Sequence, residues 1–392
     1  MEDRLNGIFN IQDYGADPTG KISASAAIQA AIDAAAAYND GQGGVVLVPP
    51  GTYLCSDIHL KREVRMIGMG TWGYRTTGDC VLQLEDKQDA ICVLDLSLAY
   101  SATVENLVLQ GRGESPDASM THGFYLSHPD IGRAGGQKEE NIPTLRHCKA
   151  EDFSGDGIHY DNVWCFRITG CQVRKCRNGL YLKGVDGFIL DNWFSRNREW
   201  GIYCDGLSSA NSAVMVTACR VEWNGQGGFH LDSAGKWQIA NCNFDKNFGP
   251  ALECVSCGNR RCPTSFGITA TGNIFNRCGY TPEEARSAHV LLDNVFDVCL
   301  TGNVFLAGAD DDHTGPVYPV YSVIAHGLKN TVITQNVMQN SCTKRQLLDR
   351  GEHYTPQSAE DENAGLVWQN NFGAPASAAC YAYGKYFMPS KD

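Results

Sequence analysis

The 392-residue sequence has no run of 18 apolar residues, so no segment is suited to cross a bilayer as a helix. Positive charge is scarce. Against 44 Asp and Glu there are 32 Lys and Arg, and the net charge of −12 argues against a nucleic-acid or membrane partner, since either needs a basic surface. Proline is sparse beside glycine, 14 against 42, a balance suited to many tight turns. No phosphate-binding loop, dinucleotide fingerprint or Ser-His-Asp motif is present. A charged n-region followed by an apolar h-region is also lacking. The chain is expected to be soluble and cytoplasmic, or a secreted mature form numbered after loss of its leader. Cysteine, by contrast, is plentiful and odd in number, 17 residues, many at positions expected to face inward. Buried thiols act as small hydrophobes, which suits a reducing compartment better than a disulfide framework. The 43% hydrophobic content is enough for a sizeable core.

A Gly-apolar-X-apolar-X unit recurs through the middle of the chain. It reads Gly157-Ile-His-Tyr-Asp161, Gly179-Leu-Tyr-Leu-Lys183, Gly201-Ile-Tyr-Cys-Asp205 and Gly228-Phe-His-Leu-Asp232, with glycines 22, 22 and 27 residues apart. Looser copies stand at Gly123-Phe-Tyr-Leu-Ser127 and Ala251-Leu-Glu-Cys-Val255. One short strand per 20–30 residues marks a solenoid. Alternate strand residues face opposite ways, so the apolar positions enter the coil and the X positions form a polar stripe outside. A second column supports the alignment: Cys148, Cys171, Asn192, Cys219, Cys242, Asn273, Asn303 and Asn336. Inward Asn there can bond the next amide along the axis, and Cys can fill the same slot without polar demand.

Ahead of the repeats, Phe9–Gly20 reads as a strand and turn. Ser23 or Ser25 is placed to cap a helix over 26–37, with Ile28, Ala31, Ile32 and Ala35 on one face. Gly43-Gly-Val-Val-Leu-Val-Pro-Pro-Gly-Thr-Tyr53 and Val64–Gly70 follow as strands and turns. This order, from Asp13-Tyr-Gly-Ala-Asp-Pro-Thr-Gly20 through Ile67-Gly-Met-Gly70, resembles the opening of the pectate-lyase-like superfamily, nearest its polygalacturonase and phage-tailspike branch. The resemblance implies an all-β fold: a right-handed parallel β-helix with three strands per coil and an N-terminal capping helix. The expected layout is one domain over 1–392, with cap and first coils at 1–72, coils at 73–340 and a tail at 341–392 packed back on them. That tail loses the repeat and carries Trp368, Phe372, Tyr381, Tyr383, Tyr386 and Phe387. Excursions at 110–121, 128–142, 256–265, 279–288 and 307–320 are expected to wall the stripe.

On the stripe, one column runs Ser127, Asp161, Lys183, Asp205, Asp232, and the column two residues earlier runs Tyr125, His159, Tyr181, Tyr203, His230, Glu253. Neighbouring strands lie about 4.8 Å apart. Paired carboxyls about 5–5.5 Å apart suit retaining glycosidic cleavage, and about 6.5–9.5 Å inverting cleavage. Asp205 and Asp232 on adjacent coils fit the first, Asp161 and Asp205 two coils apart the second, and the sequence leaves that choice open. His159, Lys183, His230 and Glu253 would tune the carboxyls or bind substrate, and Tyr181, Tyr203, Trp200 and Trp223 could stack on sugar rings. Asp156-Gly157 resembles half of the polygalacturonase catalytic pattern. The paired Asp-Asp of the next coil is replaced by Arg177-Asn178, and the His-Gly and Arg-X-Lys signatures are unmatched. The same charges also suit a solvated ion-pair ladder.

No metal site or resident cofactor is assigned. Cys254-X2-Cys257-X4-Cys262 lacks a fourth zinc ligand, and Asp310-Asp-Asp-His313 could hold Ca²⁺ but reads first as a solvated acidic loop. The sequence therefore points to an enzyme that cleaves or transfers a glycosidic bond of an oligo- or polysaccharide, with Asp205, Asp232 and Asp161 as catalytic carboxyls. Two alternatives stay open. One is a polysaccharide lyase or uronate epimerase with Lys183 or a histidine as base; the other is a non-catalytic tailspike-like glycan binder. A homo-oligomer such as a trimer is compatible with either.

Overall fold

An alternating strand buries its apolar face only if the chain returns to close a core around it, and this chain does so by coiling. The computed structural model describes residues 7–113, 120–128, 143–206, 211–256, 264–312, 314–358 and 360–375, in two compact units, Met1–Asn197 and Arg198–Asp392.

In the first unit three strand columns rise together, all parallel. One column stacks Ile8–Asn10, Val45–Val48, Arg65–Gly68, Thr103–Glu105, Thr144–Arg146 and Arg167–Thr169. The second runs from Thr19–Ser23 and Gly51–Cys55 to Lys149–Glu151, Gln172–Arg174 and Trp193–Ser195. The third contains Ile58–Lys61, Cys92–Leu98, His122–Ser127, Ile158–Trp164 and Leu180–Leu190. Phe124, Phe153, Tyr160, Phe166 and Phe194 are fully buried among these strands. The helix Ser25–Ala36 buries Ile28, Ala31, Ile32 and Ala35, as its spacing predicts. Its cap differs from expectation. Ala24, which has no polar side chain, holds the N-cap position, while Ser23 Oγ accepts the Ser25 N–H at 3.4 Å and the Ser25 hydroxyl donates to the carbonyl of Ser56 at 3.4 Å.

The second unit repeats the plan. Trp200–Cys204, Gly227–Asp232, Leu252–Val255, Ala288–Asp293 and Tyr321–His326 form one parallel column. Arg220–Glu222, Asn243–Asp245, Ile274–Asn276 and Val304–Leu306 form another. Phe244, Phe275 and Phe305 stack along its interior, with centroids 5.2 and 4.9 Å apart. Although the repeat fades from the sequence after 340, Arg345–Asp349 and Leu366–Gln369 still add in parallel register. Trp368 lies in the last of these strands and Phe372 is 71% exposed.

The glycines opening the repeat strands are required by space. A Cβ on Gly157 would lie 2.1 Å from a Val173 methyl, and one on Gly228 would lie 2.3 Å from the Ala251 carbonyl oxygen. The corners use a different device. After six of the short strands a non-glycine residue adopts the left-handed conformation: Asp152, Lys175 and Arg196 in the first unit, Trp223, Lys246 and Arg277 in the second, with φ from 50° to 63°.

The amide column is present as read. In the second unit Cys242 N–H donates to Asn273 Oδ1 (2.9 Å), Asn273 to Asn303 (2.9 Å), Asn303 to Asn336 (3.0 Å) and Asn336 to Asn371 (3.2 Å). In the first unit Cys148 N–H meets Cys171 Sγ at 3.4 Å, and Cys171 N–H donates to Asn192 Oδ1 at 2.8 Å. Twelve of the fourteen described cysteines are buried, and burial pushes thiols such as Cys55, Cys92 and Cys254 well up. Parts of three excursions (114–119, 129–142 and 257–263, with Cys257 and Cys262) and the residues His313, Tyr381, Tyr383, Tyr386 and Phe387 lie outside the described residues. Among the described residues no helix is long and apolar enough to cross a membrane.

Candidate active site

The register places the stripe of the first unit as the repeat predicts. Tyr125 pairs with His159 and His159 with Tyr181, while Ser127 pairs with Asp161 and Asp161 with Lys183. The three rings of the inner column stack on one another. Tyr125 and His159 are 5.2 Å apart and within 10° of parallel, and His159 and Tyr181 are 4.4 Å apart and within 5°. Their faces are thus covered by each other, and Tyr181 is only 9% exposed. A sugar would meet ring edges and hydroxyls here rather than an open aromatic platform.

Under this stack lies Asp156, fully buried in the turn before Gly157. His159 Nδ1 is 2.8 Å from its Oδ2. Arg177 grips both oxygens, Nε to Oδ1 at 3.1 Å and Nη2 to Oδ2 at 3.0 Å. Asn178 donates its side-chain amide at 2.9 Å and its backbone N–H at 3.3 Å. Burial alone would raise this carboxyl, but the bonds from His159 and Arg177 and the nearby positive charge overcome it and bring it down to about 2. Asp156 is therefore ionised and accepts only, so the neutral form of His159 carries its proton on Nδ1 and its lone pair on Nε2.

His122 completes the cluster, with its ring centroid 4.4 Å from that of His159. Its Nδ1 accepts the backbone N–H of Asp156 at 3.0 Å, and burial pushes it down to about 4, so it stays neutral. Ligand atoms of His122, Asp156 and His159 fall within 4.8 Å of one another. A cation there would have to displace the Arg177 guanidinium from both carboxylate oxygens and the Asp156 N–H from His122. The donor set fits a hydrogen-bonded network better than a metal ion.

Of the outer column, Asp161 faces Lys183 at 3.5 Å, and the Lys183 ammonium lies 5.5 Å from the Tyr181 ring centroid. Asp161 is thus paired with a cation.

In the second unit Tyr203 pairs with His230 and His230 with Glu253. Trp200 is 5% exposed, its ring filling the space where a Gly227 Cβ would stand. It serves as packing beneath the stripe rather than as a platform above it. Cys204 pairs with Leu231, so Asp205 and Asp232 follow on adjacent coils. Both are half-buried, and Asp232 lies against the backbone beside Asp205, its Cγ 2.7 Å from where a Gly206 Cβ would be. Ser233 Oγ donates to Asp232 at 3.0 Å. Trp223 donates its indole N–H to Asp311 at 3.2 Å and lines a cleft of about 430 Å³ with Lys246, Phe248 and Tyr280. In the acidic loop, Lys246 pairs with Asp310 and Arg277 with Asp311 (2.6 Å), while Asp312 bonds Thr314. Two of its three carboxylates thus already have cations.

The sequence alone marks Asp156 and Arg177 only as fragments of an incomplete pattern, and it does not single out His122, nor Arg286, which donates to both Glu253 oxygens at 3.3 and 3.1 Å. Asp156 had a usable signal, standing three residues before an outward His and immediately before the repeat glycine.

Comparison with known proteins agrees with the fold. A family model described as a right handed beta helix region matches residues 156–310. Mannuronan C5-epimerase AlgE5 of Azotobacter vinelandii is 24% identical over 73% of the chain, and AlgE3 of the same organism is 30% identical over 47%. The chain spans 26% and 10% of the lengths of these two relatives. Among solved structures, the A-module of A. vinelandii AlgE4 superposes with a TM-score of 0.61 at 18% identity, covering 94% of this chain and 96% of that one. DFA-IIIase from Arthrobacter chlorophenolicus A6, solved in complex with DFA-III, gives 0.56 at 15% identity, covering 95% and 93%. With its parallel coils, amide column and N-terminal helix, the chain has the pectate-lyase-like fold, a right-handed parallel β-helix.

Proposed function

We propose that the protein is a carbohydrate-active enzyme that removes the proton α to the carboxylate of a uronate residue in a polysaccharide, with His159 as the base. The observation that carries this reading is the buried, ionised Asp156 fixing His159 Nδ1–H, so that Nε2 presents its lone pair at the stripe. The similarity to mannuronan C5-epimerases supports a uronate polymer as the substrate class.

The chemistry follows from these groups. His159 Nε2 takes the proton, and the electron pair moves into the uronate carboxylate as an enediolate. Lys183, beside Tyr181, is the cation placed to favour that doubly charged form. Tyr125 and Tyr181 flank His159 with hydroxyls that can return a proton. Return to the opposite face of the carbon gives the epimer; expulsion of the glycosidic oxygen β to the carboxylate gives an unsaturated sugar. Asp156 cannot be the protonated acid of a glycosidase, because His159 and Arg177 hold it ionised.

Incubation with mannuronan and other polyuronates in D2O tests the proposal. Deuterium at the carbon α to the carboxylate, read by NMR, is the result expected for epimerisation, and an unsaturated product absorbing in the ultraviolet is the result expected for elimination. Loss of incorporation in His159→Gln, with the fold intact by circular dichroism, assigns the base. Saturated fragments without deuterium would refute it.

A second reading keeps glycosidic cleavage or transfer at Asp205 and Asp232. It is favoured by their succession on adjacent coils and by the seat of Asp232 beside Gly206. Saturated products, lost in both Asp205→Asn and Asp232→Asn, would establish it.

A further inference from the structure

The second unit rebuilds the chemistry of the Asp156 cluster from different parts. His230 Nδ1 lies 3.1 Å from Glu253 Oε2. Arg286 donates to both Glu253 oxygens, Nε to Oε1 at 3.3 Å and Nη2 to Oε2 at 3.1 Å. Tyr203 stacks on the His230 ring at 5.0 Å and within 8° of parallel, and Trp200 tilts against it at 5.0 Å. The constellation is again a buried carboxylate, an arginine on both its oxygens, a histidine held through Nδ1, and aromatic rings fixing that histidine's plane.

The two clusters are not copies in sequence. Asp156 stands three residues before His159 on the same turn, whereas Glu253 reaches His230 from the next coil of the same column. Arg177 begins the following coil, whereas Arg286 arrives on the 3-10 turn Glu284–Arg286 within a longer excursion. Only Trp200 and Tyr203 flank the second histidine, in place of two tyrosines. The outcome is nonetheless the same. Burial alone would raise the Glu253 carboxyl, but His230 and Arg286 pull it below its ordinary value. An ionised Glu253 requires a proton on His230 Nδ1, so the neutral imidazole has its lone pair on Nε2. The side chains of the two histidines are also equally open, 17% exposed for His230 and 16% for His159.

A purely structural ion pair would account for Glu253 and Arg286, which together anchor the excursion. It would not require an oriented imidazole with an open nitrogen, stacked in the outward column of the coil. We infer that His230, Glu253 and Arg286 form a second proton-transfer centre, acting on the same class of substrate, a uronate residue of a polysaccharide. The inference rests on the function proposed for His159 as to substrate class, and on the geometry of the second unit as to location. The step is balanced without a further reactant. The C–H bond α to the carboxylate breaks, its proton goes to His230 Nε2, and its electron pair enters the carboxylate. Return of a proton to that carbon restores neutral His230. Arg286 and Glu253 act as positioning residues through the imidazole.

Deuterium incorporation from D2O into mannuronan and other polyuronates is followed for wild type, His159→Gln, His230→Gln and the double variant, with Glu253→Gln alongside. Two independent centres predict that each single histidine variant keeps incorporation within about twofold to tenfold of wild type, while the double variant loses it. Glu253→Gln is expected to depress the remaining activity of His159→Gln and to shift its pH profile, which a structural anchor would not do. Complete loss in His159→Gln with His230→Gln like wild type overturns the second centre and leaves the first. Complete loss in His230→Gln with His159→Gln like wild type overturns the proposal for His159 instead. If each single variant loses all incorporation, the histidines are not independent centres and the inference fails. A double variant that still incorporates deuterium or forms unsaturated product, or a wild type that does neither with any polyuronate, removes both.

Discussion

Asp156→Asn changes one charge at almost constant shape, and the site gives its consequences on two scales. The carboxyl falls from an ordinary 3.8 to about 2 in the fold, which at 1.36 kcal/mol per pH unit corresponds to about 2 kcal/mol of stability. Because the folded value is the lower one, that stability is fully present above about pH 4. It is lost as pH falls through the folded value. An asparagine also turns an N–H group toward Arg177, and breaking a buried pair costs about 3–5 kcal/mol. The Arg177 side chain is 25% exposed and can recover some hydration, so a loss of about 2–4 kcal/mol is expected. Urea unfolding at neutral pH would show it as a lower midpoint with an unchanged slope. On the catalytic scale, His159 loses the anion that fixes its tautomer, and a drop of about 10³–10⁴-fold in turnover follows by analogy with an orienting carboxylate in a catalytic triad. A variant within about 0.5 kcal/mol of wild type and within tenfold in turnover would refute both the ion-pair network and the orientation of His159 by Asp156.

Three further outcomes follow from other parts of the molecule. Arg177→Met removes the main cation from Asp156, so the acid-unfolding midpoint should rise toward higher pH in a circular-dichroism titration. Lys183→Met should leave the melting temperature within a few degrees, since its pair with Asp161 is partly exposed, yet raise the KM for an anionic polymer several-fold. Asn303→Leu breaks the bonds to Asn273, Ala270 and Asn336 in a sealed interior, and a loss of about 2–4 kcal/mol is expected by urea unfolding.

The architecture was legible because period and chemistry agreed. The glycine spacing aligned the strands, and the cross-strand partners of Tyr125, His159 and Asp161 are those the repeat implies. The Cys/Asn column was readable for a similar reason, as small or amide side chains recur only where a turn faces inward. The corners were not readable, since Lys175 and Trp223 give no local hint of a left-handed backbone that only stacking against the next coil enforces. Of the last strands, Arg345–Asp349 was hidden because it pairs by backbone register without the glycine that marked the others, whereas Leu366–Gln369 follows Gly365 and was hidden by its distance along the chain from the earlier copies. At the site, attention fell on acids at the end of the repeat unit, whereas the most strongly held carboxylate lies just before its glycine. Arg286 was beyond reach, because an excursion of variable length brings it to Glu253.

The amide column also governs how such a molecule comes apart. A solenoid is held by contacts between successive turns, so its resistance to fraying is set joint by joint. From Asn273 to Asn371 each joint is fastened by a backbone N–H and a side-chain amide donating to the next carboxamide. Between Cys148 and Cys171 the matching joint is made to sulfur, with the Cys148 N–H 3.4 Å from Cys171 Sγ. Opening is therefore graded from joint to joint within each unit: amide joints let go together, while thiol joints act as points of slack. Hydrogen exchange would show this as blocks of similar protection around Asn303 and Asn336 and earlier exchange at the Cys148 turn. Exchanging Cys242 for Asn would be a direct way to extend the fastened stretch by one turn, since the Cys242 N–H already donates to Asn273.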